Sequence, residues 1–584
     1  MILGLMLSAS SSFAQQHVSG VVTDAATGKP LAGIRITSER SSAISDGGGH
    51  FRLKDVSGLG VITLRGEGYT DRSVTLRGDT LVSVALYSQA FRDRLSTDAF
   101  TDMQTNISVE KILAERAGDG VRAVSRGAVP GMGSSLFVRG YQSLNRNTQP
   151  LIVVDGTIWD DATDVSTLFS GYTQNPLADI DVNDIESVEI LKDASSIYGA
   201  KGANGAVVIT TKRSHSTVTR ITADLSYGFN LRPKTYDVMN ASDYRTYLSE
   251  IQKTAPAGSG LATTFRGYLG TDPNSTDYTT YHNNTDWTDD VYRVGATEHY
   301  GISVDGSDDI AKYAITLGYT HNKATVESVD FSRLNARINA DITLSKKLTI
   351  GTQLYFTYTD RNLQDDGVDA NTSPTFIAGI KSPFLVPYSY TDDGKALTGT
   401  LNDVDVLGVS NPVSLIQNAK NTDKHYRFGI SANPEWTINR HFTLDGRFSY
   451  QFVSTKEHYF SPMLGVSPVV VDGNTYQNTV KDQSASQNNL QGHVNLNYLL
   501  QLSKSTLRLH AGARVMHSSL KTSYADGHNT GNDKVTNLNN SLSFRTLDGA
   551  NTDWSSAAVN LRGEYDYDGR YQLWGVVSAD ASSR

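Results

Sequence analysis

An alternation of apolar and polar side chains with a period of two residues runs through most of the chain after residue 213. Between Leu334 and Leu344 every second residue is apolar, and the residues between them, such as Asn335, Arg337 and Asn339, are polar. Successive side chains of a β-strand point to opposite faces, so the pattern predicts strands with one apolar and one polar face. Alternating segments of about ten residues are typical of transmembrane β-strands.

The alternating segments are joined in turn by short and long connections. Further alternating segments lie at residues 348–358, 426–436, 442–450, 490–500 and 507–513. Short turns are predicted near Ser307, Lys346, Asn439, Ser503 and Asp568. Long connections are predicted at residues 230–297, 321–330, 361–423, 454–486 and 520–553. Short turns on one side and long loops on the other are typical of outer-membrane barrels, and about eleven strands are predicted here.

Composition is compatible with this interpretation and excludes several other classes. Only 38% of the residues are hydrophobic, mean hydropathy is −0.33, and no long apolar run follows the N-terminus, which excludes helical membrane spans. A net charge of −9 argues against nucleic acid as a partner. The chain has no cysteine, which excludes disulfides, thiolate chemistry and a lipid-modified N-terminal cysteine. The 29 tyrosines suit a membrane interface, although tyrosine is also common in strands generally.

Residues 1–14 are predicted to be a secretory signal peptide. An apolar run from Ile2 to Leu7 is followed by small residues, and Ser12-Phe13-Ala14 approximates a cleavage site before Gln15. No lysine or arginine precedes the apolar run, so we expect that the assigned start lies a few codons too late.

Residues 151–213 combine short strands with glycine-containing turns. A predicted strand at residues 151–154 runs into a tight Asp-Gly turn, and a second strand at residues 185–190 precedes a turn with three glycines and a β-branched run. Glycine enters left-handed backbone conformations without steric cost, so these glycines are expected to shape the fold more than to bind ligand. With the Phe137-Val138-Arg139-Gly140 stretch upstream, the residues that we single out are Arg139, Gly140, Asp155, Gly156, Glu186, Glu189, Lys192, Tyr198, Gly199, Gly202, Asn204 and Gly205.

This ordered string resembles the plug domain of TonB-dependent outer-membrane transporters. More narrowly, it resembles the SusC/RagA branch, which imports glycans and other large nutrients in Bacteroidetes. The string at residues 18–53 is similar to the carboxypeptidase-regulatory-like domain that precedes such plugs, and His50 and Asp46 within it are interpreted as turn residues. The implied fold is mainly β: an N-terminal transthyretin-like β-sandwich, an α/β plug domain and the first half of a large transmembrane antiparallel β-barrel. The implied boundaries are residues 1–14 (signal peptide), 17–88 (carboxypeptidase-regulatory-like domain), 101–213 (plug) and 214–584 (partial outer-membrane β-barrel).

The resemblance implies TonB-dependent import of a large nutrient, glycan or peptide, across the cell outer membrane. The implied partners are the TonB–ExbB–ExbD energy-transducing complex, a SusD-like surface lipoprotein, the nutrient ligand and outer-membrane lipid, with no nucleic acid, cofactor or metal. The segment from Val84 to Leu95 is the candidate for TonB contact. The candidates for ion pairs that hold the plug closed are Arg139, Glu186, Glu189 and Lys192. The alternative is that these residues are ordinary solvated charges on strands.

Two other function classes are weighed against the importer. A secreted or surface adhesion protein built of β modules would explain the first domain but not the plug string or the alternating loop lengths. An enzyme is disfavoured because the sequence has no nucleophile elbow, zinc-binding helix or Cys/His cluster. The acidic group Asp181, Asp184 and Glu186 is interpreted as a polar turn.

The chain is expected to be a fragment. Plugged barrels close at about 22 strands, roughly twice the number predicted here. The string SADASSR at residues 578–584 resembles a mid-barrel string of SusC-type proteins, so the missing half is expected to be encoded downstream. The sequence does not choose between glycan, peptide and other ligands.

Overall fold

A computed structural model of the 584-residue protein describes most of the chain. The described residues are 16–24, 30–38, 41–56, 61–65, 69, 72–76, 81–86, 93–96, 107–116, 120–125, 129–144, 147–160, 167–169, 172, 175–192, 194–214, 218–256, 258–275, 277–308, 310–345, 347–365, 370–439, 441–501, 505–539, 544–567 and 571–583. The predicted signal peptide and its cleavage site lie outside these residues, as do the predicted turns at Ser503 and Asp568.

The N-terminal part contains two small sheets that share one apolar core. Its strands are β1 (Gln16–Asp24), β2 (Arg35–Thr37), β3 (Ser42–Ile44), β4 (His50–Val56), β5 (Val61–Arg65), β6 (Arg72–Thr75) and β7 (Leu81–Leu86). The sheet orders are β4-β1-β7 and β3-β2-β5-β6. Alternate residues such as Val18, Val22, Ile62 and Leu64 are fully buried between them, as in a sandwich.

The plug follows as a five-stranded sheet with an additional two-stranded sheet. Its strands are β8 (Asp93–Ser96), β9 (Val121–Val124), β10 (Ser135–Val138), β11 (Leu151–Val154), β12 (Thr157–Trp159), β13 (Ile185–Leu191) and β14 (Ala206–Thr211). The sheet order is β12-β11-β14-β13-β8, with β9 and β10 paired separately. Strand β8 lies at the sheet edge and contains the end of the predicted TonB-contacting segment; residues 87–92 of that segment lie outside the described residues.

An eleven-stranded antiparallel sheet, here called the large sheet, makes up most of the rest. Its strands are β15 (Arg220–Asn230), β16 (Gly295–Ser307), β17 (Ala311–Lys323), β18 (Asp330–Ser345), β19 (Leu348–Asn362), β22 (Thr422–Thr437), β23 (Phe442–Ser461), β26 (Thr479–Gln501), β27 (Ser505–His528), β28 (Phe544–Tyr567) and β29 (Tyr571–Ser582). Each strand pairs with the next one of the sheet in sequence. The two small hairpins in the connections are β20 (Tyr388–Tyr390) with β21 (Leu397–Leu401), and β24 (Val469–Val471) with β25 (Asn474–Tyr476).

The large sheet is polar on the face toward the plug and apolar on the opposite face. Arg333, Arg427 and Gln451 are almost completely buried against the plug, whereas Ile338 and Ile430 are more than two-fifths exposed. This is the reverse of a soluble sheet and is the arrangement of a strand that faces lipid. Within the described residues, no helix is long and apolar enough to cross a membrane.

Two predicted connections are shorter than the sequence pattern indicated. Strand β23 continues to Ser461 and β26 begins at Thr479, so the predicted connection at 454–486 is wrong in its bounds; the same holds at 520–553, since β27 continues to His528. Residues 454–458 of β23 are polar on both faces and pair with residues 482–486 of β26, so alternation disappears there while backbone pairing continues.

In the part of the chain that the structure describes, the helices lie in the plug and in the long connections. They are α1 (Val109–Arg116), α2 (Ser195–Tyr198), α3 (Ala241–Thr254), α4 (Leu261–Thr264), α5 (Arg266–Leu269), α6 (Asp277–Tyr281), α7 (Trp287–Val291), α8 (Pro374–Ile380) and α9 (Pro412–Asn418). The connections at residues 231–294 and 363–421 pack on each other around Trp287, Tyr268 and Phe384. This shared core, here called the loop core, joins two loops on the same side of the large sheet.

Candidate functional site

The Asp155-Gly156 turn lies between β11 and β12 and faces the large sheet. Both residues have positive φ, 47° and 78°. The carboxylate of Asp155 accepts hydrogen bonds from the backbone N–H of Thr211 at 2.8 Å and from its hydroxyl at 2.6 Å. The same carboxylate lies 3.6 Å from Nη1 of Arg337 on β18. The turn therefore joins two plug strands and places a carboxylate at the contact with the sheet.

The glycines of the predicted turn have different surroundings. Gly199 and Gly205 have φ of 66° and 82°, whereas at Gly202 a side chain would collide with the carbonyl oxygen of Ala194. Tyr198 lies beneath the guanidinium of Arg514 on β27, 5.0 Å from the ring centre. The role of the three glycines in shaping the fold stays a prediction.

The remaining predicted residues do not form one cluster. Arg139 and Gly140 follow β10 in an exposed turn, with φ of 60° and 80°. Asn204 donates to the carbonyl oxygen of Asn147 at 2.8 Å, within the plug. Glu186, Glu189 and Lys192 are half-buried along or just after β13, and each interacts with neighbouring groups. Their part in holding the plug closed stays a prediction.

A buried charge cluster between plug and sheet is centred on Asp179. This residue ends a short 3-10 helix (Pro176–Asp179) of the plug and is 3% exposed. Its carboxylate oxygen Oδ2 lies 2.8 Å from Nε2 of His425 and 2.8 Å from Nε of Arg427, both on β22. Burial alone would raise the pKa of Asp179, but the charges of His425 and Arg427 outweigh it and lower the pKa below the usual range of a carboxyl group.

Backbone carbonyl groups of the plug are held by side chains of the sheet at the same place. The carbonyl oxygen of Asp179 accepts from Nδ2 of Asn335 at 2.7 Å and from the hydroxyl of Thr357 at 3.1 Å. Arg333, which is 1% exposed, donates to the carbonyl oxygen of Ala178 at 2.7 Å and to that of Ile107, just before α1, at 3.2 Å. One sheet arginine therefore bridges two separate plug segments.

A second group of buried charges surrounds a 3-10 helix at residues 182–184. Asp181 lies 3.8 Å from Nδ1 of His299, and Asp184 lies 3.5 Å from Nε of Arg337. Burial raises the pKa of Asp184, and the charge of Arg337 opposes this shift. These carboxylates do flank a turn, as the sequence indicated, but they are 4% and 6% exposed and face the sheet instead of solvent.

Further along the interface, the contacts are neutral or aromatic. Trp159 stacks on Tyr355 at 5.1 Å between ring centres and lies beneath the guanidinium of Arg427 at 4.5 Å. The carbonyl oxygen of Asp160 accepts from Gln487 at 2.9 Å and from Asn489 at 3.0 Å, both on β26.

The sequence pattern did not single out the residues at the centre of this interface, namely Asp179, Arg333, His425 and Arg427. A usable signal was present on the sheet side, because Arg333, Asn335 and Arg337 continue the polar face of one predicted strand. On the plug side, Asp179 stands in an acidic stretch with no periodicity. Among the described residues, no group of three or more His, Cys, Asp or Glu side chains could hold a metal ion.

Known proteins resemble this chain over its plug and beyond it. The sequence model of the protein family described as TonB-dependent Receptor Plug Domain matches residues 90–206. The TonB-dependent receptor SusC of Bacteroides thetaiotaomicron is 29% identical over 365 residues, which are 58% of this chain and 33% of SusC. A TonB-dependent receptor of Formosa agariphila is 27% identical over 482 residues, which are 77% of this chain and 44% of that receptor. The chain thus spans less than half the length of these curated relatives.

A solved structure has the same fold. The RagAB peptide transporter superposes with a TM-score of 0.65 at 18% identity, over 84% of this chain and 55% of that chain. The resemblance, the mainly β fold with plug and partial barrel, and the outer-membrane location that the sequence predicted are confirmed. The chain therefore has a TonB-dependent receptor plug domain and is similar to the SusC/RagA-type TonB-dependent receptors of the outer membrane, with the large sheet beside its plug as part of a barrel wall.

Proposed function

We propose that this chain is part of an importer that moves a large nutrient, glycan or peptide, through the outer membrane with energy from the TonB–ExbB–ExbD complex. The observation that carries the proposal is the Asp179 cluster: a plug carboxylate and three plug carbonyl groups held by buried arginine, histidine, asparagine and threonine side chains of the sheet. A plug held by a few directional polar contacts stays seated at rest and is released when a pull at the edge strand β8 breaks them.

The interface is better suited to release than an apolar one would be. Removing one partner of a buried ion pair costs about 3–5 kcal/mol, because the other charge is left without compensation. Displacement of Asp179 from His425 and Arg427 would therefore be strongly opposed until water enters and solvates all three groups. Such a transition has two states, closed and hydrated, as an energy-driven gate requires.

The finer parts of the proposal rest on the resemblance. We infer a SusD-like lipoprotein as partner, and additional strands that complete the barrel around the plug. The relatives belong to a class of transporters that are not enzymes, and we propose no catalytic activity. The adhesion alternative predicts a polar outer face, whereas Leu225, Leu317, Ile430 and Leu490 are each nearly half exposed or more on the face away from the plug.

The proposal is tested by uptake in cells that carry the protein together with its barrel-completing strands. Labelled glycan and peptide pools are offered to cells with and without functional TonB, and we expect uptake of one class that requires TonB. Uptake that is the same without TonB, or no uptake of either class by correctly inserted protein, would contradict the proposal.

The gate itself is tested by Asp179→Asn. This variant leaves Arg427 and His425 facing a neutral amide, so we expect a loosened plug and increased sensitivity of the cells to large antibiotics that the outer membrane normally excludes. Asp160→Asn is the matched control, since the carboxylate of Asp160 contacts Lys201 of the plug itself at 3.0 Å. Equal antibiotic sensitivity of both variants would show that the Asp179 cluster does not hold the plug.

A further inference from the structure

The face of the large sheet away from the plug is here called its outer face. On this face, side chains that lie opposite one another across neighbouring strands form rows. One such row consists of Asp360, Lys424, Lys456 and Ser484, on β19, β22, β23 and β26. Lys424 and Lys456 are directly opposite each other and both are exposed. A third exposed lysine, Lys521 on β27, belongs to the adjacent row, opposite Ser486. These three lysines are here called the lysine collar.

The register places the lysine collar at the membrane surface. Tyr358 and Tyr426 are opposite each other, two residues from Asp360 and Lys424, with ring centres 4.7 Å apart. Trp436 lies ten residues further along β22 and is 46% exposed at the other end of the apolar face. Ten residues at about 3.3 Å each, tilted by about 40°, span a height of about 25 Å, which is the height of the apolar band of an outer-membrane barrel.

Lys424 and Lys456 therefore lie roughly 5 Å beyond the apolar band, at the level of lipid headgroups. Lys521 lies in the row of the two tyrosines, at the edge of the band. It is on the side of the long connections, which is the outer surface in barrels of this kind. The charges on this outer face are thus in contact with the outer leaflet. Lys424 and Lys456 are also at least four strands from β15 and β29, the edge strands of the large sheet.

The cations of the collar are compensated within the protein by one weak contact, at Lys424. Like charges directly opposite each other destabilise a sheet, and Asp423 and Glu457 next to them in sequence point to the inner face. Asp360 lies 3.8 Å from Lys424, with both groups more than a third exposed, a weak pair. The carboxylate of Asp482, one row further out, pairs with His458 at 2.8 Å. In the described part of the sheet, no carboxylate forms an ion pair with Lys456 or Lys521.

We propose that Lys424, Lys456 and Lys521 bind the phosphate groups of the outer-leaflet lipid, a phosphorylated glycolipid of the lipopolysaccharide type. A phosphate group between Lys424 and Lys456 replaces their mutual repulsion by two attractive contacts. The tyrosines beneath, Tyr358 and Tyr426, pack against the glycolipid where its acyl chains begin. The proposal rests on the membrane location of the large sheet and not on transport.

The test compares this chain, expressed together with its barrel-completing strands, with its Lys424→Gln/Lys456→Gln variant. Both proteins are purified from outer membranes in mild detergent and titrated with lipid A. Both side chains are exposed, so the substitutions leave the packing unchanged. We expect the lipid A dissociation constant to rise about thirtyfold, and less lipopolysaccharide to remain bound through purification. Lys424→Arg/Lys456→Arg keeps both charges and should retain affinity, and Lys456→Gln alone should show a smaller loss.

The matched control is Lys253→Gln/Lys395→Gln, which removes two exposed lysines from the outer connections and should leave affinity unchanged. Lipid A without its phosphates should bind the original chain and the collar variant equally. The proposal is overturned if the collar variant keeps the original affinity, or if dephosphorylated lipid A binds the original chain as tightly as lipid A. It is also overturned if inorganic phosphate alone displaces the lipid at equal concentration, since the site would then serve a free anion.

Discussion

At the scale of single residues, Gly199 and Gly205 share a positive φ but differ in what a side chain would meet. At Gly205 a Cβ would lie 2.9 Å from the carbonyl oxygen of Leu191 and 3.1 Å from Val138, neither of which can move easily. At Gly199 it would meet the carboxylate of Asp580, the free end of a flexible side chain. We predict that Gly205→Val destabilises the plug by about 3 kcal/mol and Gly199→Val by about half as much. Urea unfolding of each variant measures the difference.

The control for both variants is Gly399→Val in β21, where φ is not positive and no heavy atom lies near the added Cβ. It should unfold like the original chain. If the variants at Gly199 and Gly205 unfold normally but lose ligand binding, the glycines belong to a ligand site and their structural role is wrong.

A second residue-scale prediction concerns Glu110 in α1, whose side chain is fully buried beside Arg333. Burial raises the pKa of Glu110 to about 7 from 4.5 in the unfolded chain. The folded state therefore binds the proton more tightly, and the stability that this contributes is complete below pH 4.5 and lost as the pH rises through 7. We predict that the plug loses about 3 kcal/mol over this interval and that Glu110→Gln removes the loss.

The pH dependence is measured by urea unfolding at a series of pH values. Asp179 gives an internal comparison of opposite sign, since its lowered pKa contributes stability above about pH 4 that is lost on further acidification. An unchanged pH profile in Glu110→Gln would show that the proton is bound elsewhere.

At the scale of elements, the loop core depends on one tryptophan. Trp287 is 2% exposed, and its indole N–H donates to the carbonyl oxygen of Ser382 at 2.9 Å, joining the two long connections. We predict that Trp287→Ala costs about 3–5 kcal/mol within the loop core and makes both connections sensitive to protease while the strands stay protected. Limited proteolysis with mass spectrometry shows where the cuts fall.

Tyr236→Ala is the control, since Tyr236 lies in the same connection but is 95% exposed. It should be cut like the original chain. Cuts that spread into β16 or β22 in Trp287→Ala would mean that the loop core and the strands unfold together.

The elements also show what could be predicted and what could not. Strands such as β18 and β19 follow from local alternation, because a lipid-facing side and a plug-facing side impose opposite polarity on adjacent residues. Residues 454–458 of β23 have polar side chains on both faces, so no alternation marks this part of the strand. The Asp179 cluster could not be predicted for a different reason. Asp179 and His425 are 246 residues apart in sequence, and only the tertiary fold brings them together.

At the scale of the whole molecule, the large sheet has two edges. Among the described residues, β15 pairs only with β16 and β29 only with β28. Each unpaired N–H or C=O group in hydrocarbon costs several kcal/mol, so an open sheet is unstable in a bilayer. The curated relatives are more than twice as long as the part that this chain matches, which leaves enough sequence in them for the strands that close a barrel.

We therefore predict that the large sheet is stable in the outer membrane only when further strands pair with β15 and β29. Residues 15–584 expressed alone should aggregate or be degraded. The same residues expressed with barrel-completing strands of a SusC-type relative should give a membrane protein whose electrophoretic mobility changes on heating, as closed barrels do. The fold inside the plug should not depend on closure, because β11, β13 and β14 pair within the plug, so plug fragments should resist protease in both preparations. Heat-modifiable, ligand-importing protein obtained from residues 15–584 alone would contradict this prediction and show that eleven strands suffice.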